Sequence, residues 1–479
     1  MSMSEFDWNL ATVWETIAEE VPNAPAQVHG ERAFSWADFD ERSNGLAAAL
    51  LDDRASRDDR VALYLRNSPE YMEVQHAAFK IGIPAVNTNY RYRDEELRYL
   101  FEDADVTSVV FHGSFTETME GIRPRSPSLR RFIHVDDGTE PCPDWAVPYE
   151  QAAASAAGQV RSPWGRSGED LFLLYTGGTT GMPKGVMWRV EDMLRQVNDV
   201  AEVSFDLGDA VASIRASLSR SRPVHVSCSP MMHGSGWFGA VIAMHQGGTV
   251  ASLVQPSLDP AELLDLIDRL RVSSLTIAGE VFARRILAML EQHPERWDST
   301  SIRDVLTSGG MLSEASKRSL LEHWPQASIL DGFSSSEGFG MGWSVATKED
   351  IPPTGRFRPG RNLRVLDEEG RRRVRSRRQA RPERQVAPRL LQGPGKDPAH
   401  LPDDRRRTIG GPRRPRHRAR RRHHPVDGPG FPLHQLRRRE DLHRRGRGGH
   451  PRSRGGQRRS GRWNPRPGVG SDRGRHHQP

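Results

Sequence analysis

The first 370 residues predict a layered α/β fold built on parallel strands, for two reasons. Short apolar runs alternate with segments of helical period, and turn residues separate the two kinds. Ser35-Trp36-Ala37-Asp38 opens a helix, with Ser35 as N-cap and Asp38 three residues on, and the pattern continues through Asn44 to Leu50. Arg60–Leu65 reads as a short buried strand. Glu70 to Lys80 makes a helix that Gly82 ends. Val106–Phe111 and Asp170–Tyr175 read as further buried strands. Leu263, Leu264, Leu266, Ile267 and Leu270 recur at helical spacing before the strand-like Ser274–Ile277.

At 479 residues the chain has room for two or three domains of roughly 150 residues. No run approaches the ~18 uncharged apolar residues of a membrane span. Met1–Trp8 lacks the basic flank and apolar core of a secretory signal. The two cysteines, Cys142 and Cys228, exclude a disulfide scaffold or a cysteine-rich zinc module and suit a reducing cytoplasm. The net charge of +7 averages two unlike pieces. Residues 371–479 hold 33 Arg and one Lys against eight acidic residues, a net +26, which leaves −19 on residues 1–370. Leu, Ile, Val and Phe fill only 12 of those 109 C-terminal positions, too few to offset chain entropy, so a disordered tail is expected.

The sharpest local signal follows the strand ending at Tyr175. Thr176, Gly177, Gly178, Thr179, Thr180, Gly181, Met182, Pro183, Lys184 and Gly185 combine four glycines, three hydroxyls and a cation. Glycines let the backbone approach a ligand, and consecutive amides form an anion-binding nest. A nucleotide polyphosphate suits it best; an ordinary surface turn is the plain alternative. It is not a Walker A loop, since Gly185 follows Lys184 where Ser or Thr is needed.

This segment resembles the signature loop of the adenylate-forming, AMP-binding superfamily, and within it the fatty acyl-CoA synthetases. The resemblance runs from about Ala11 to Gly370. Asn67–Tyr71, Lys80–Asn87, Val305–Gly310 and Asp331–Glu337 resemble further blocks in family order. It implies a multi-layer acyl-CoA synthetase/luciferase-like large domain over residues 1–368. It also implies ATP- and Mg²⁺-dependent activation of a carboxylic acid to an acyl-adenylate, then transfer to CoA. Residues 176–185, Lys184 included, match a flap over the β- and γ-phosphates. Thr176 and Glu337 match the Mg²⁺ positions, and Ser336 the α-phosphate hydroxyl. Ser308, Gly309, Gly310, Asp331, Gly332 and Phe333 match the adenine pocket, with Phe333 in place of a usual Tyr. Ser334 replaces a usual Gly, which is unfavourable if that backbone needs positive φ. Ser335 reads as structural. Pro230–Phe238 resembles the acyl-pocket block, so His233, Gly234, Trp237 and Phe238 are expected along an apolar channel. Cys228 reads as a small buried side chain. A homodimer is the expected assembly.

The family's smaller C-terminal lid follows a segment like Val365–Gly370 and supplies a ribose-binding Asp, a hinge and an adenylation lysine. Here residues 369–479 turn to Arg, Pro, Gly and His instead. A shifted reading frame accounts for this. Arg389-Leu390-Leu391-Gln392-Gly393 can be written CGG CTA CTA CAA GGN, and dropping one base yields Gly-Tyr-Tyr-Lys, a family phrase. Arg413–His417 yields Gly-Asp-Leu-Ala-Thr by the same shift, and His434–His443 yields a third family-like phrase. The slip falls between about Gly370 and Arg375, and the lid is expected to be lost with its chemistry. The alternative is a genuine basic arm that contacts nucleic acid through phosphate charge.

Overall fold

The structure is a computed structural model that describes residues 8–51, 54–177, 182–201, 209–220, 222–360, 363 and 389–390. All belong to one compact unit, Met1–Pro402; Asp403–Pro479 lies outside the described residues. The chain runs α1 (Leu10–Glu20), β1 (Pro25–His29), β2 (Arg32–Ser35), α2 (Trp36–Leu50), β3 (Val61–Tyr64), α3 (Pro69–Ile81), β4 (Ala85–Asn87), α4 (Asp94–Asp103), β5 (Ser108–His112), α5 (Thr116–Ile122), β6 (Arg131–Val135), β7 (Val147–Pro148) and α6 (Tyr149–Ala153). It continues with β8 (Leu171–Thr176), β9 (Lys184–Arg189), α7 (Val190–Val200), α8 (Ala210–Ser217), β10 (Val224–Ser227), α9 (Gly234–His245), β11 (Thr249–Ser252), α10 (Pro260–Leu270), β12 (Ser274–Ile277), α11 (Glu280–Gln292), β13 (Asp304–Thr307), α12 (Glu314–His323), β14 (Ser328–Ser335), β15 (Gly338–Ala346), β16 (Arg358–Pro359) and β17 (Arg389–Leu390).

Among the described residues the strands form two sheets, in the orders β16-β15-β14-β13-β12-β10-β11-β1-β2 and β17-β9-β8-β4-β3-β5-β6-β7. Both centres are parallel, and the hairpins β8–β9 and β14–β15 are antiparallel. The period-2 alternation of strand side chains sorts the core. Phe172 and Leu174 of β8 face a middle core with α1, α2, α3, α7 and α9, whereas Leu173 and Tyr175 face α4 and α5. In the first sheet Leu275, Val305 and Ile329 pack under α10, α11 and α12. The result is five alternating layers, the arrangement expected of βα units.

Several expectations hold in detail. Ser35 caps α2 by accepting from the Asp38 amide, and Asp38 accepts from the Ser35 amide at 2.8 Å. Gly82 ends α3 in the left-handed region at φ 67°. Gly45 sits inside α2 because a Cβ there would stand 1.8 Å from the Ala153 carbonyl oxygen of α6. The tail expectation changes at two positions: Arg389 and Leu390 pair with Met187 and Val186 as β17. The rest of the tail lies outside the described residues.

A buried ion network binds α1, α2 and α3. Lys80, with no exposed side-chain surface, donates to Glu15 at 2.8 Å and pairs with Asp40 at 2.7 Å. Arg161 and Arg166 each fork onto both carboxylate oxygens of Glu15. Burial opposes ionisation of Glu15, but the Arg166 hydrogen bond and the Lys80 charge hold its carboxyl well below the usual range. His76 Nε2–H donates to the Asp40 carboxylate at 2.9 Å.

Breaking a buried pair strands the remaining charge. Lys80→Met is therefore expected to cost about 3–5 kcal/mol in urea unfolding; a cost below ~1 kcal/mol would mean that the two arginines suffice. Burial lowers the pKa of His76 and His112 to about 4 and of His225 and His245 to about 3. The unfolded chain binds these protons first, so the stability they contribute is lost as pH falls from 6.5 towards 4. Burial raises Glu73 to about 7, which acts in the opposite sense. One unit below pH 6.5 each histidine costs about 1 kcal/mol, so the four outweigh Glu73. The melting temperature is expected to fall steadily between pH 7 and 5; a flat profile would contradict the burial of these rings.

Candidate active site

Parallel α/β sheets present their ligand sites beyond the carboxyl ends of their strands. Here the ends of β8, β10, β13 and β14 lead into the segments the sequence singled out. The last pair of the β8–β9 hairpin is Thr176 opposite Lys184, and the glycine-rich loop closes between them. Gly178, Thr179, Thr180 and Gly181 lie outside the described residues. The base of the loop is packed. Tyr175 is buried and its hydroxyl donates to Asp103 at 2.7 Å. A Cβ on Gly185 would stand 2.8 Å from that ring, so Gly185 answers a packing need. Lys184 is exposed and, among the described residues, has no ion pair.

The loop after β13 carries Ser308, Gly309 and Gly310. Gly309 takes φ +81° and Gly279, after β12, takes φ +65°. A Cβ on Gly279 would stand 2.6 Å from the Gly310 carbonyl carbon, so Gly279 has no room for a side chain there; a Cβ on Gly310 would have its nearest neighbour, the Ala278 carbonyl oxygen, at 3.3 Å. At Gly309 the nearest atom to such a Cβ is Ser235 Oγ at 3.8 Å, which puts this loop beside the start of α9.

Ser336 and Glu337 form the two-residue turn between β14 and β15, since Ser335 pairs with Gly338. Both Ser336 and the exposed Glu337 therefore stand at a hairpin tip, and Glu337 has no salt bridge or hydrogen bond among the described residues. The condition for strain at Ser334 is not met. Ser334 is not among the residues with positive φ; Gly340 is, at 64°, and its amide donates to Ser334 Oγ at 3.1 Å. Phe333 is 43% exposed, with its ring 5.7 Å from Phe357. Asp331 is buried, and one carboxylate oxygen accepts from Lys317 Nζ at 2.8 Å. Gly332 leaves 3.1 Å between its would-be Cβ and the Trp343 ring.

The turn before α9 is clamped from the other sheet. Asn67 Nδ2 donates to the Ser227 and Ser229 carbonyls at 3.0 and 2.9 Å, and its Oδ1 accepts from the Met231 amide at 2.7 Å. Asn87 Nδ2 adds a bond to the Met231 carbonyl at 3.2 Å. His233 occupies the N-cap position of α9, and burial followed by the Arg91 charge lowers its pKa. Gly236 is a strict requirement, because a Cβ would meet the Ser229 carbonyl oxygen at 2.4 Å; at Gly234 the nearest atom, of Leu174 on β8, is 3.6 Å away. Trp237 is fully enclosed. It stacks on Phe172 at 4.7 Å and its indole donates to Gln75. Phe238 lies between Trp237 and Phe339, stacked on the latter at 3.6 Å. Cys228 is half-buried with its thiol pushed up to about 12 by desolvation.

Sequence reasoning did not assign Asn67 or Lys317 a part, and it passed over Trp188 and Phe339. Asn67 begins the block Asn67–Tyr71. Trp188 Nε1 donates to the Ser336 carbonyl at 2.9 Å and so ties β9 to the hairpin tip. Lys317, a lysine on an otherwise amphipathic helix, carried no distinguishing signal. A groove of about 400 Å³ lined by Asp38, Glu41, Arg42 and Glu150 lies on α2 and contains none of the candidate site residues.

Residues 14–379 match the family model of the AMP-binding enzymes. The chain is 31% identical over 372 residues to a medium/long-chain-fatty-acid–CoA/3-oxocholest-4-en-26-oate–CoA ligase of Mycolicibacterium smegmatis, covering 76% of this chain and 67% of that protein. It is 31% identical over 353 residues to a 3-oxocholest-4-en-26-oate–CoA ligase of Rhodococcus rhodochrous, covering 71% and 62%. The chain thus spans about two thirds of the length of these relatives. Its fold is similar to that of the anthranilate CoA ligase AuaEII in complex with anthranoyl-AMP (TM-score 0.64, 19% identity, 76% of this chain and 67% of that one). It is similar also to the N-terminal domain of FACL13 from Mycobacterium tuberculosis (TM-score 0.61, 22% identity, 76% and 86%). By the extent of that match and the order of its blocks, this chain belongs to the AMP-binding enzyme family.

Proposed function

We propose that this chain binds ATP and a medium- or long-chain fatty acid, or a sterol side-chain acid, as an acyl-CoA synthetase does, and that its tail impairs turnover. The observation that carries the reading is that the β8–β9 hairpin, the tip after β14 and the segments after β10 and β13 come together from distant parts of the sequence: Gly234 stands by Leu174, Gly309 by Ser235, and Trp188 bonds Ser336. The acid preference rests on the two relatives named above and on the apolar Met231, Met232, Phe238 and Phe339 around α9.

In the reaction a carboxylate oxygen attacks the α-phosphorus and the bond to pyrophosphate breaks, leaving an acyl-adenylate. CoA thiolate then displaces AMP. The charge that gathers on the leaving phosphates needs donors aimed at it more than it needs a general base. Residues 176–185 supply amides, hydroxyls and Lys184 for the β- and γ-phosphates. Ser336 offers its hydroxyl to the α-phosphate. Phe333 presents a free face to adenine beside Ser308, Gly309, Gly310 and Gly332.

The donor set fits Mg²⁺. Among the described residues no three His, Cys, Asp or Glu side chains gather to hold a metal alone, and Mg²⁺ is ordinarily held by one or two carboxylates together with substrate phosphates. Glu337 and Thr176 would hold it. When bound it supplies neutralisation of phosphate charge.

The frame of residues 371–479 decides turnover in this proposal. The lid lysine and the ribose-binding Asp would be spelled only in the shifted frame.

Titration calorimetry of the full chain with ATP at varied Mg²⁺ is expected to show magnesium-dependent binding. Glu337→Gln should weaken it about tenfold, close to 1.4 kcal/mol, and raise the Mg²⁺ needed for half saturation. Equal binding by the variant would sink the assignment of Glu337. For the tail, the coding DNA across codons 365–395 is expected to restore the family phrases when one base is corrected. The corrected protein should then ligate CoA at least a hundredfold faster than this chain. Ligation by the present chain at the corrected protein's rate would overturn the impairment.

A further inference from the structure

Strand β9 leaves the glycine-rich loop at Lys184 and sends alternate side chains to opposite faces. Val186 and Trp188 enter the middle core, and Met187 packs against the outer one. Trp188 is 4% exposed, which by itself asks only for a large apolar ring. Its indole N–H does something a phenyl ring could not. It donates at 2.9 Å to the carbonyl of Ser336, 148 residues away in sequence and in the other sheet. The carbonyl it meets belongs to the two-residue turn that carries Ser336 and Glu337.

Among the described residues that turn has little else to hold it. A register shift between Phe333 and Ser335 interrupts the ladder just before it, and such irregularities re-aim neighbouring side chains. Inside the hairpin, the Gly340 amide bonds Ser334 Oγ at 3.1 Å. The indole approaches from outside the hairpin. Its ring is fixed in turn by packing: edge-to-face on Phe238 of α9 at 6.5 Å and 78°, with Phe238 stacked on Phe339 of β15 at 3.6 Å. A buried indole N–H normally has a partner, and losing one leaves a carbonyl unsatisfied.

We propose that Trp188 is a positioning residue: its N–H holds Ser336 and Glu337 in fixed relation to the strand that leaves the phosphate loop. The two halves of the phosphate site come from different sheets, so their spacing is set by contacts between the sheets. Trp188 makes one such contact directly from β9 to the turn. The proposal rests on the reading of Ser336 and Glu337 as phosphate and magnesium contacts.

The test uses the full chain with Trp188→Phe, which keeps an aromatic ring against Phe238 and removes the donor. Two readouts are taken. Amide hydrogen exchange over residues 336–340, measured without nucleotide, is expected to quicken at least fivefold, while that of α10 and α11 stays as in the wild type. In calorimetry ATP affinity is expected to drop about tenfold and half-saturating Mg²⁺ to rise severalfold, with adenosine affinity unchanged, because adenosine has no phosphate to misplace. Trp188→Leu, which also lacks the donor, should give the same magnesium shift whatever its melting temperature. Exchange and magnesium dependence like the wild type's in both variants would reduce Trp188 to packing and overturn this proposal alone. If the wild type shows no magnesium-dependent ATP binding, the assignment of Glu337 fails and the proposal fails with it.

Discussion

One carboxamide carries much of the site's geometry. Asn67 lies just beyond β3 in one sheet, and all three of its bonds go to the turn that follows β10 in the other. Two carbonyls and one amide that a buried turn would otherwise leave unpaired are satisfied by a single side chain. Asn87, itself bonded to Gln75, adds a fourth bond to the same turn, and Gln75 reaches Trp237. The start of α9 is therefore located by the second sheet. That lets a helix from one half of the molecule stand beside the glycine-rich hairpin of the other.

Close approach is the second constraint, and glycine meets it in two different ways. At Gly279 the loop backbone lies so close to Gly310 that no Cβ fits, and Gly279 also takes a positive φ. At Gly236 the first turn of α9 presses on the Ser229 carbonyl with ordinary helical dihedrals, so only the missing Cβ matters. Between them they bring the segments after β10, β12 and β13 close together. Donors and hydroxyls on them can then face one small ligand.

Buried charge plays a structural part that the block resemblance alone does not separate from function. Lys80 stands in a stretch that resembles a family block, yet its ammonium is spent on Glu15 and Asp40 beneath α1 and α2. Asp331 stands in a nucleotide block and is partly spent on Lys317. Glu337, by contrast, is exposed and unpaired among the described residues. A carboxylate held at a turn without a cation of its own is available to one that arrives with a ligand.

Local chemistry was enough to specify the helix starting at Ser35, the stop at Gly82, the strands at β3, β8 and β12, and the glycine-rich loop after Tyr175. Each depends on residues close together in the chain: a capping pair, a residue able to take positive φ, an apolar run, a cluster of glycines. The enclosure of Trp237 against Phe172 and the indole bond from Trp188 to Ser336 were decided only when the sheets came together. Their partners lie up to 148 residues apart, and nothing in a local pattern says which distant carbonyl a donor will meet. Ser334 shows the difference at a single residue: the sequence left open whether its backbone needs a positive φ, and in the folded hairpin Gly340 takes one and Ser334 does not.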